Sequence, residues 1–301
     1  MALLAAEVFL LRSKEVDQVE VYDVIKYRLQ RCLTVPNLCG FADMTSCQHY
    51  QCIYVADDIV KCIHRLDSQG KNAATQWPVN DQPWGLTVNT PHNLLVTCLV
   101  VRKIKEFSSL GDLLREITLP DDVIHPRHAI QLTNGKYVVC HGDFGDPVHS
   151  VCVISADGRQ IVHSHGGQPG SSTGQYNGPC HLAVDSSECV FVVDRDNYRV
   201  KLLSPTLCHI RDAVTSDLFK WKPLRLCLNE QSHHLYVAES EFKGERKNMA
   251  GRVIVLACNS RVCMPAVVPE KAVAQVSLTT HHYCRCVEAN QPDTDLYSSA
   301  W

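Results

Sequence analysis

A short β-strand pattern recurs six times along the chain. Each copy is an apolar run that closes on a small, polar or charged residue: VFLLR at 8–12, CIYVAD at 52–57, NLLVTC at 93–98, KYVVCH at 136–141, CVFVVD at 189–194 and HLYVAE at 234–239. The copies start 44, 41, 43, 53 and 45 residues apart, and the longest step contains a Gly-rich insertion at 166–178. Such a period predicts a repeat architecture in which neighbouring units bury each other.

Further strands flank each copy. A strand led by Pro or Gly precedes the second to sixth copies, a third strand follows every copy, and fourth strands are predicted at 29–35, 113–119, 160–165 and 209–214. A helix over 24–33 is the alternative at one of these places, but it lacks a cap and conflicts with the repeat. The recurring strands are apolar on both faces, so each unit must be covered on both sides. Four strands in each of six units predict an all-β fold, a six-bladed β-propeller of four-stranded antiparallel blades.

The two ends of the chain decide how such a ring closes. The first unit shows no innermost strand before VFLLR, and the last unit shows three strands. We expect the β-prone stretch AVAQVSLT at 272–279 to supply a missing strand and close the ring. The alternative is a disordered tail after about residue 260. The predicted organisation is therefore a single propeller over residues 1–280 and a flexible tail over 281–301.

Composition excludes several classes of protein. The formal net charge of −3 argues against DNA binding, and the longest apolar run, LLVTCLVV at 94–101, is too short to cross a membrane. The first residues lack the basic start of a secretion signal, so we expect a cytoplasmic chain. Most of the 16 cysteines sit singly inside apolar strands, which is typical of buried, reduced thiols. A secreted disulfide framework is the alternative.

The fifth unit carries the most specific motif. Its elements are a Gly-aromatic-Pro lead, an apolar strand ending in Asp, a second strand ending in Val-x-Asp, and Asn-x-Arg-Val: Gly174, Tyr176, Pro179, Asp185, Val192, Asp194, Asn197, Arg199 and Val200. This unit resembles the NHL repeat, as found in the NHL domains of TRIM-type proteins. The second unit matches in part, with the Asn-x-Arg element replaced by Val60, Lys61 and Cys62. The resemblance implies a six-bladed ring that recognises protein or RNA, often within ubiquitin-ligase-related or scaffold proteins.

The predicted topology brings distant residues to one opening of the ring. The start of the first strand and the end of the second strand of each blade share a face in a propeller. That face would carry Gly85, His128, His181 and Arg225, each two residues after a Pro, together with Asp57, Cys98, His141, Asp194 and Glu239, which end second strands.

We therefore predict a non-catalytic interaction scaffold that needs no cofactor and binds a protein partner at the channel mouth. The predicted binding residues are His128, His141, His181, Asp194, Arg199 and Arg225. RNA is the other class of partner, and it would require a basic face with aromatic side chains. The cations available for such a face are Lys103, Lys105, Arg195, Arg199, Lys201, Lys220, Lys222 and Arg225, with Trp84, Tyr198 and Trp221 near them in sequence.

An enzyme is the alternative. Some related six-bladed rings, among them peptidyl-amidoglycolate lyase and gluconolactonase, hold a metal at the channel mouth. His128 and His181 occupy one register in adjacent blades, His141 ends the strand that follows His128, and neutral imidazoles converging there would bind zinc; calcium is the other metal that this alternative allows. Arg225 would then stabilise an oxyanion. This hypothesis predicts a metal-dependent lyase or hydrolase, but it lacks a third ligand, since Gly85 occupies one equivalent position and the second unit has Ala42 or Asp43 there.

Two loops are further candidates for partner binding. They are GDFGD at 142–146 and the Gly-rich insertion at 166–178. Neither has the order of a phosphate-binding loop, and neither precedes a predicted helix. The sequence HHYCRC at 281–286 carries metal-capable side chains, but it falls in the predicted tail, where adventitious binding is the simpler interpretation.

Overall fold

Six antiparallel β-sheets follow one another along the chain. The structure is a computed structural model that describes residues 1–4, 7–11, 17–24, 28–240 and 251–257. Each sheet is one blade, and its strands pair in the order in which they occur in the sequence. The strands of the first three blades are β1 Ala2–Leu4, β2 Glu7–Leu11, β3 Gln18–Asp23 and β4 Leu29–Thr34; β5 Asp43–Cys47, β6 Cys52–Asp57, β7 Cys62–Asp67 and β8 Thr75–Pro78; β9 Pro83–Val88, β10 Leu94–Cys98, β11 Lys103–Phe107 and β12 Leu113–Thr118.

The last three blades continue the same arrangement. Their strands are β13 Pro126–Gln131, β14 Tyr137–His141, β15 His149–Ile154 and β16 Ile161–Gly167; β17 Pro179–Val184, β18 Val190–Asp194, β19 Arg199–Leu203 and β20 His209–Val214; β21 Lys222–Asn229, β22 His234–Ser240 and β23 Gly251–Ala257. The sixth blade has three strands within the described residues. The fold is therefore the six-bladed β-propeller that the repeat predicted.

The first strands of the blades form the innermost circle. Each contacts the first strand of the next blade, and β21 of the sixth blade contacts β1 of the first. The ring thus closes within the described residues by packing of the two terminal blades. The stretch at 272–279, which was expected to close the ring, lies outside the described residues, as does the predicted tail at 281–301.

An apolar core fills every interface between neighbouring blades. Along β14, for example, Tyr137 and Val139 pack toward the third blade, while Val138 and Cys140 pack toward the fifth. The core between the last and first blades joins Tyr236 and Val253 to Met1, Val8 and Tyr22. This arrangement explains why the second strands are apolar on both faces. Each blade is sandwiched between two others, so burial stabilises both of its surfaces.

Two short strands that the structure contains were not predicted from the sequence. The first blade does have an innermost strand, β1, which is only three residues long and pairs Ala2 with Phe9. The second blade has a fourth strand, β8, which the sequence did not indicate because it is short and contains a proline. By contrast, the strand predicted at 29–35 is confirmed, because β4 is formed where a helix was the alternative.

Helix is nearly absent from the described residues. The helices found there are two single 3-10 turns, Arg195–Asn197 and Ser216–Leu218. Neither these nor any other described segment forms a helix long and apolar enough to cross a membrane. The twelve cysteines in the described residues are all free thiols, and most are buried in the blades, as expected from their positions in apolar strands.

Candidate functional site

One position of the innermost strand recurs from blade to blade. It lies opposite the second strand, one or two residues before that strand ends, and five blades fill it with Asp43, Gly85, His128, His181 and Arg225. In the fourth, fifth and sixth blades the pairing register shifts between a proline and this residue. A proline cannot donate a ladder hydrogen bond, and a bulge turns the strand locally. The Pro-x-residue signal in the sequence therefore marks this recurring position of the central channel.

Asp43 is the centre of this channel site. Its side chain is fully buried, and its Oδ1 accepts a hydrogen bond from Arg225 Nε at 2.8 Å. Its Oδ2 accepts from the backbone N–H of Leu86 at 3.0 Å and lies 3.6 Å from His181 Nε2 and 3.8 Å from His128 Nε2. Four blades thus contribute to one carboxylate. Arg225 is held in turn by the backbone carbonyls of Leu224 and Ala42, which accept from its terminal nitrogens.

His128 and His181 stack on each other beside Asp43. Their ring centroids are 3.9 Å apart with planes inclined by 30°, and His128 Nε2 also lies 3.3 Å from the carbonyl oxygen of Leu86. The Nδ1 atoms of both rings are buried and have no hydrogen-bond partner among the described residues. Buried polar atoms without a partner are uncommon and often indicate a bound water or ion.

The electrostatics of the site favour neutral imidazoles next to a charged carboxylate. Burial lowers the pKa of His128 well below its ordinary value, and the neighbouring His181 adds to this effect. Burial also lowers the pKa of His181, against the opposing effect of Asp43. Burial alone would raise the pKa of Asp43, but Arg225, His181 and His128 together outweigh it and hold that pKa far below the usual range. Neutral imidazole and ionised carboxylate are the forms that bind metals.

The three donor atoms fit a zinc ion. Asp43 Oδ2, His128 Nε2 and His181 Nε2 all lie within 4.8 Å of one another. In a tetrahedral site with the usual zinc–nitrogen and zinc–oxygen bond lengths, donor atoms are about 3.4 Å apart. The observed separations of 3.6 and 3.8 Å from the carboxylate are close to that value. Three protein ligands and one open position are typical of catalytic rather than structural zinc.

Gly85 is the small member of the recurring set, and the site depends on its size. A Cβ atom built there would lie 2.4 Å from the carbonyl oxygen of Arg127 and 2.9 Å from Cα of His128. Both distances are shorter than real Cβ contacts. The fourth blade can therefore approach the third closely, and this brings His128 within reach of Asp43.

The structure brings only three of the predicted binding residues together. His128, His181 and Arg225 meet at Asp43, whose carboxylate offers the third donor that the enzyme hypothesis lacked. The sequence left the equivalent position of the second blade open between Ala42 and Asp43, because that strand has no proline two residues earlier, and the strand register assigns the position to Asp43. His141 ends β14 and is buried, but it is not part of this cluster. Burial lowers the pKa of His141 to about 4.

Asp194 and Arg199, two further predicted binding residues, form hydrogen bonds that hold the Gly-rich insertion. Arg199 Nε donates to Asp194 Oδ2 at 2.7 Å, and Arg199 also donates to the carbonyl oxygens of Ser172 and Gln175 in the Gly-rich insertion. Asn197 Nδ2 donates both to Asp194 and to the carbonyl oxygen of Gly170 in the same loop. The motif residues of the fifth unit thus fasten the insertion to the blade. Asp194 itself is completely buried.

The candidate basic face is largely neutralised. Lys103 and Lys105 pair with Glu116, Arg195 and Lys222 pair with Asp196, and Lys201 donates to backbone carbonyls. Among the eight cations considered, Lys220 lies over the ring of Trp221 rather than against a carboxylate or a carbonyl oxygen. These ion pairs leave little free positive charge for a nucleic-acid backbone.

Comparisons with known proteins support the fold but do not identify a family or a function. No protein-family profile matches the chain, so the NHL resemblance is not confirmed, and no curated protein matches it. Several solved structures share the architecture. A protein of unknown function from Bacteroides caccae has a TM-score of 0.63 at 12% identity, with 84% of this chain and 90% of that chain covered.

Enzymes are present among these structural neighbours. A streptogramin B lyase has a TM-score of 0.56 at 12% identity, covering 85% of this chain and 80% of its own. Hydrazine synthase from Kuenenia stuttgartiensis has a TM-score of 0.61 at 13% identity, covering 96% of this chain and 85% of its own. At such low sequence identity the structural similarity indicates the fold, a six-bladed β-propeller, and does not by itself indicate a function.

Proposed function

We propose that this propeller is a metal-dependent lyase or hydrolase whose channel site binds zinc through Asp43, His128 and His181. The observation that carries the proposal is the convergence of one carboxylate and two imidazoles from three different blades, with donor atoms within 4.8 Å of one another and carboxylate–imidazole separations of 3.6 and 3.8 Å. Structural metal sites usually have four protein ligands, whereas three ligands leave a position for water or substrate. The existence of lyases with this fold is compatible with the proposal but is only an analogy.

The chain's own residues have distinct roles in this proposal. His128 and His181 hold the ion as neutral ligands, and Asp43 supplies the negative charge. When bound, zinc would lower the pKa of a water molecule and polarise a carbonyl group of the substrate. Arg225 orients Asp43 through Nε and uses two further N–H groups on backbone carbonyls. Two of its five N–H donors remain for an anionic oxygen of the substrate.

Metal content of the purified full chain tests this function. Wild type should carry channel zinc by mass spectrometry, and the double variant His128→Ala/His181→Ala should carry one zinc fewer per chain. His141→Ala is the matched control, because it removes a buried histidine of the same blade that lies outside the cluster. Zinc-dependent turnover of one member of a lactone panel, lost in the double variant, would establish the activity. Equal zinc content in wild type and the double variant would refute the proposal.

An interaction scaffold is the second candidate, and Phe144 favours it. This side chain is 93% exposed at the tip of the loop between β14 and β15, on the face of the ring where β14 ends. The loop is held rigid because Asp146 and Asp143 exchange hydrogen bonds and His149 bonds to the Asp143 carbonyl. An exposed aromatic ring on a preorganised loop is typical of a protein-binding hot spot.

This second function would rest on the loop rather than on the channel. Arg199 and Arg225, which were predicted to bind a partner, use their guanidinium groups within the molecule. Recovery of a partner with wild type should therefore fall for Phe144→Ser. It should persist for Leu110→Ser, because Leu110 is 80% exposed in the loop that follows β11, at the opposite face of the ring. Equal recovery with both variants would remove the Phe144 loop as the binding site.

A further inference from the structure

A second cluster of metal-binding side chains lies in the second blade, away from the channel residues. Asp57 ends β6, Cys62 begins β7 directly opposite it, and His64 follows on the same face of β7 two residues later. All three side chains are buried. Cys62 Sγ lies 3.3 Å from His64 Nε2, and His64 Nε2 lies 3.7 Å from Asp57 Oδ2.

The equivalent position in other blades shows what is unusual here. In the fifth and sixth blades the acid that ends the second strand pairs with an arginine opposite it, Asp194 with Arg199 and Glu239 with Arg252. In the second blade this arginine position is Cys62. Within the described part of the chain, no lysine or arginine nitrogen lies within 4.0 Å of Asp57, and the ionisable side chain beside its carboxylate is His64.

Asp57 is therefore a buried acid without the cation that the fifth and sixth blades provide. Its Oδ1 accepts hydrogen bonds from the backbone N–H groups of Gly40, Ile59 and Val60, and its Oδ2 accepts one from the backbone N–H of Cys39. Oδ2 thus has a second lone pair available on the side of His64. A buried carboxylate is costly unless it is paired with a charge or coordinates a metal.

We propose that Asp57, Cys62 and His64 bind a zinc ion, whose positive charge takes the place of the arginine found in the fifth and sixth blades. One thiolate, one imidazole and one carboxylate form a donor set that zinc accepts. For a tetrahedral ion the sulfur–nitrogen and nitrogen–oxygen separations are about 3.5 and 3.4 Å. The observed values of 3.3 and 3.7 Å are near both. This site is independent of the proposed channel chemistry.

Binding must displace a proton. Burial raises the pKa of Cys62 to about 11, and the nearby Asp57 and Cys39 groups contribute, so the metal-free thiol is protonated at neutral pH. Burial lowers the pKa of His64, which leaves the imidazole neutral. When the ion binds, the Cys62 S–H bond breaks, a sulfur–metal bond forms, and the proton leaves to solvent. The fourth position would be filled by water or by Cys39, whose exposed thiol lies on the adjacent loop and whose N–H already contacts Asp57.

Cobalt binding to the metal-free full chain tests the site. With Co²⁺ as the probe, wild type should develop a thiolate-to-cobalt charge-transfer band in the near ultraviolet that saturates with the Cys62 site. The band should be lost in Cys62→Ser. It should persist in Cys152→Ser, the matched control, because Cys152 is an equally buried thiol in the third strand of another blade. It should also persist in His128→Ala/His181→Ala, which separates this site from the channel.

A second variant distinguishes loss of the metal site from misfolding. Cys62→Arg restores the arginine that the fifth and sixth blades have, so it should fold with an ion pair between Asp57 and the introduced guanidinium group and give no cobalt band. In the His128→Ala/His181→Ala background, which lacks the channel site, zinc at roughly 100 times its dissociation constant should raise the Tm by about 5 °C, and adding Cys62→Arg to that background should abolish the rise. Absence of a band in wild type, or an undiminished band in a folded Cys62→Arg, would overturn the proposal.

Discussion

Arg225 of the sixth blade and Asp43 of the second blade form an ion pair at 2.8 Å, although 182 positions separate them in the sequence. The first blade lies between theirs in the ring, and its innermost strand β1 contacts the innermost strands of both. The pair therefore links the two ends of the repeat array. A contact of this kind constrains both ring closure and the position of the carboxylate to which His128 and His181 point.

Breaking this pair should destabilise the protein strongly. Arg225→Leu leaves the fully buried Asp43 without its cation, and the free energy of unfolding should fall by about 3–5 kcal/mol in urea denaturation. Adding Asp43→Asn should recover part of the loss, because a neutral amide is less costly to bury than an unpaired charge. Arg159→Leu, at an exposed ion pair, should change the same quantity by less than about 1 kcal/mol. A double variant less stable than Arg225→Leu would contradict this account.

Gly85→Ala should disturb the channel through backbone crowding. The new Cβ would meet the Arg127 carbonyl oxygen at 2.4 Å, so the fourth blade must move away and carry His128 from Asp43. We expect a stability loss of about 1–3 kcal/mol and a reduced channel zinc content by mass spectrometry. Gly174→Ala is the control, since nothing lies within 4 Å of a Cβ there. The same zinc content in both variants would show that the close approach does not position His128.

The Gly-rich insertion should loosen when its anchor is removed. Arg199→Leu abolishes the bond to Asp194 and the bonds to the Ser172 and Gln175 carbonyls. Because Asp194 then stays buried and unpaired, the free energy of unfolding should fall by about 3–5 kcal/mol. Amide hydrogen exchange should accelerate at 170–177 more than in the third blade. Uniform acceleration over all blades would mean that Arg199 supports the whole ring and not the loop.

The sequence predicted the architecture because that information is local. Alternating apolar residues, turn residues and the spacing of the second strands are properties of short segments, and each blade obeys them. The channel site was predicted only in part. His128, His181 and Arg225 share the Pro-x signal, whereas Asp43 lacks it and was recognisable only from its pairing with Ala56. The roles of Asp194 and Arg199 depend on where the insertion folds back, which no pattern in the insertion itself indicates.

The shortest strands, β1 and β8, could not be predicted from the sequence for a related reason. Strand β1 has three residues and β8 has four, so neither is long enough to display a clear alternation. Each is formed because a neighbouring strand offers unpaired backbone groups, which is a tertiary effect. Cys62 illustrates the opposite case, because the sequence marked it as an eroded copy of the Asn-x-Arg element. Its potential as a metal ligand depends on His64 and Asp57, which only the structure places beside it.

Lys201 should make stability depend on alkaline pH. Its side chain is buried, its Nζ donates to the carbonyls of Thr173 and Gln175, and no carboxylate lies within ion-pair distance of it among the described residues. Burial, with a contribution from the Arg199 charge, lowers its pKa from 10.5 to about 8. Between these two values the unfolded chain binds more protons than the folded one, so the free energy of unfolding should rise with pH.

A comparison with Lys201→Met isolates this contribution. The variant keeps the length of the side chain and removes the titrating group, while the tyrosines and cysteines that titrate in the same range remain in both proteins. The stability of wild type minus that of Lys201→Met, from urea denaturation, should therefore increase as the pH is raised from about 8 to about 10.5. It should be constant below about pH 7, where Lys201 is charged in both states. A difference that does not change across the alkaline window would mean that the buried amine has an ordinary pKa in the folded protein.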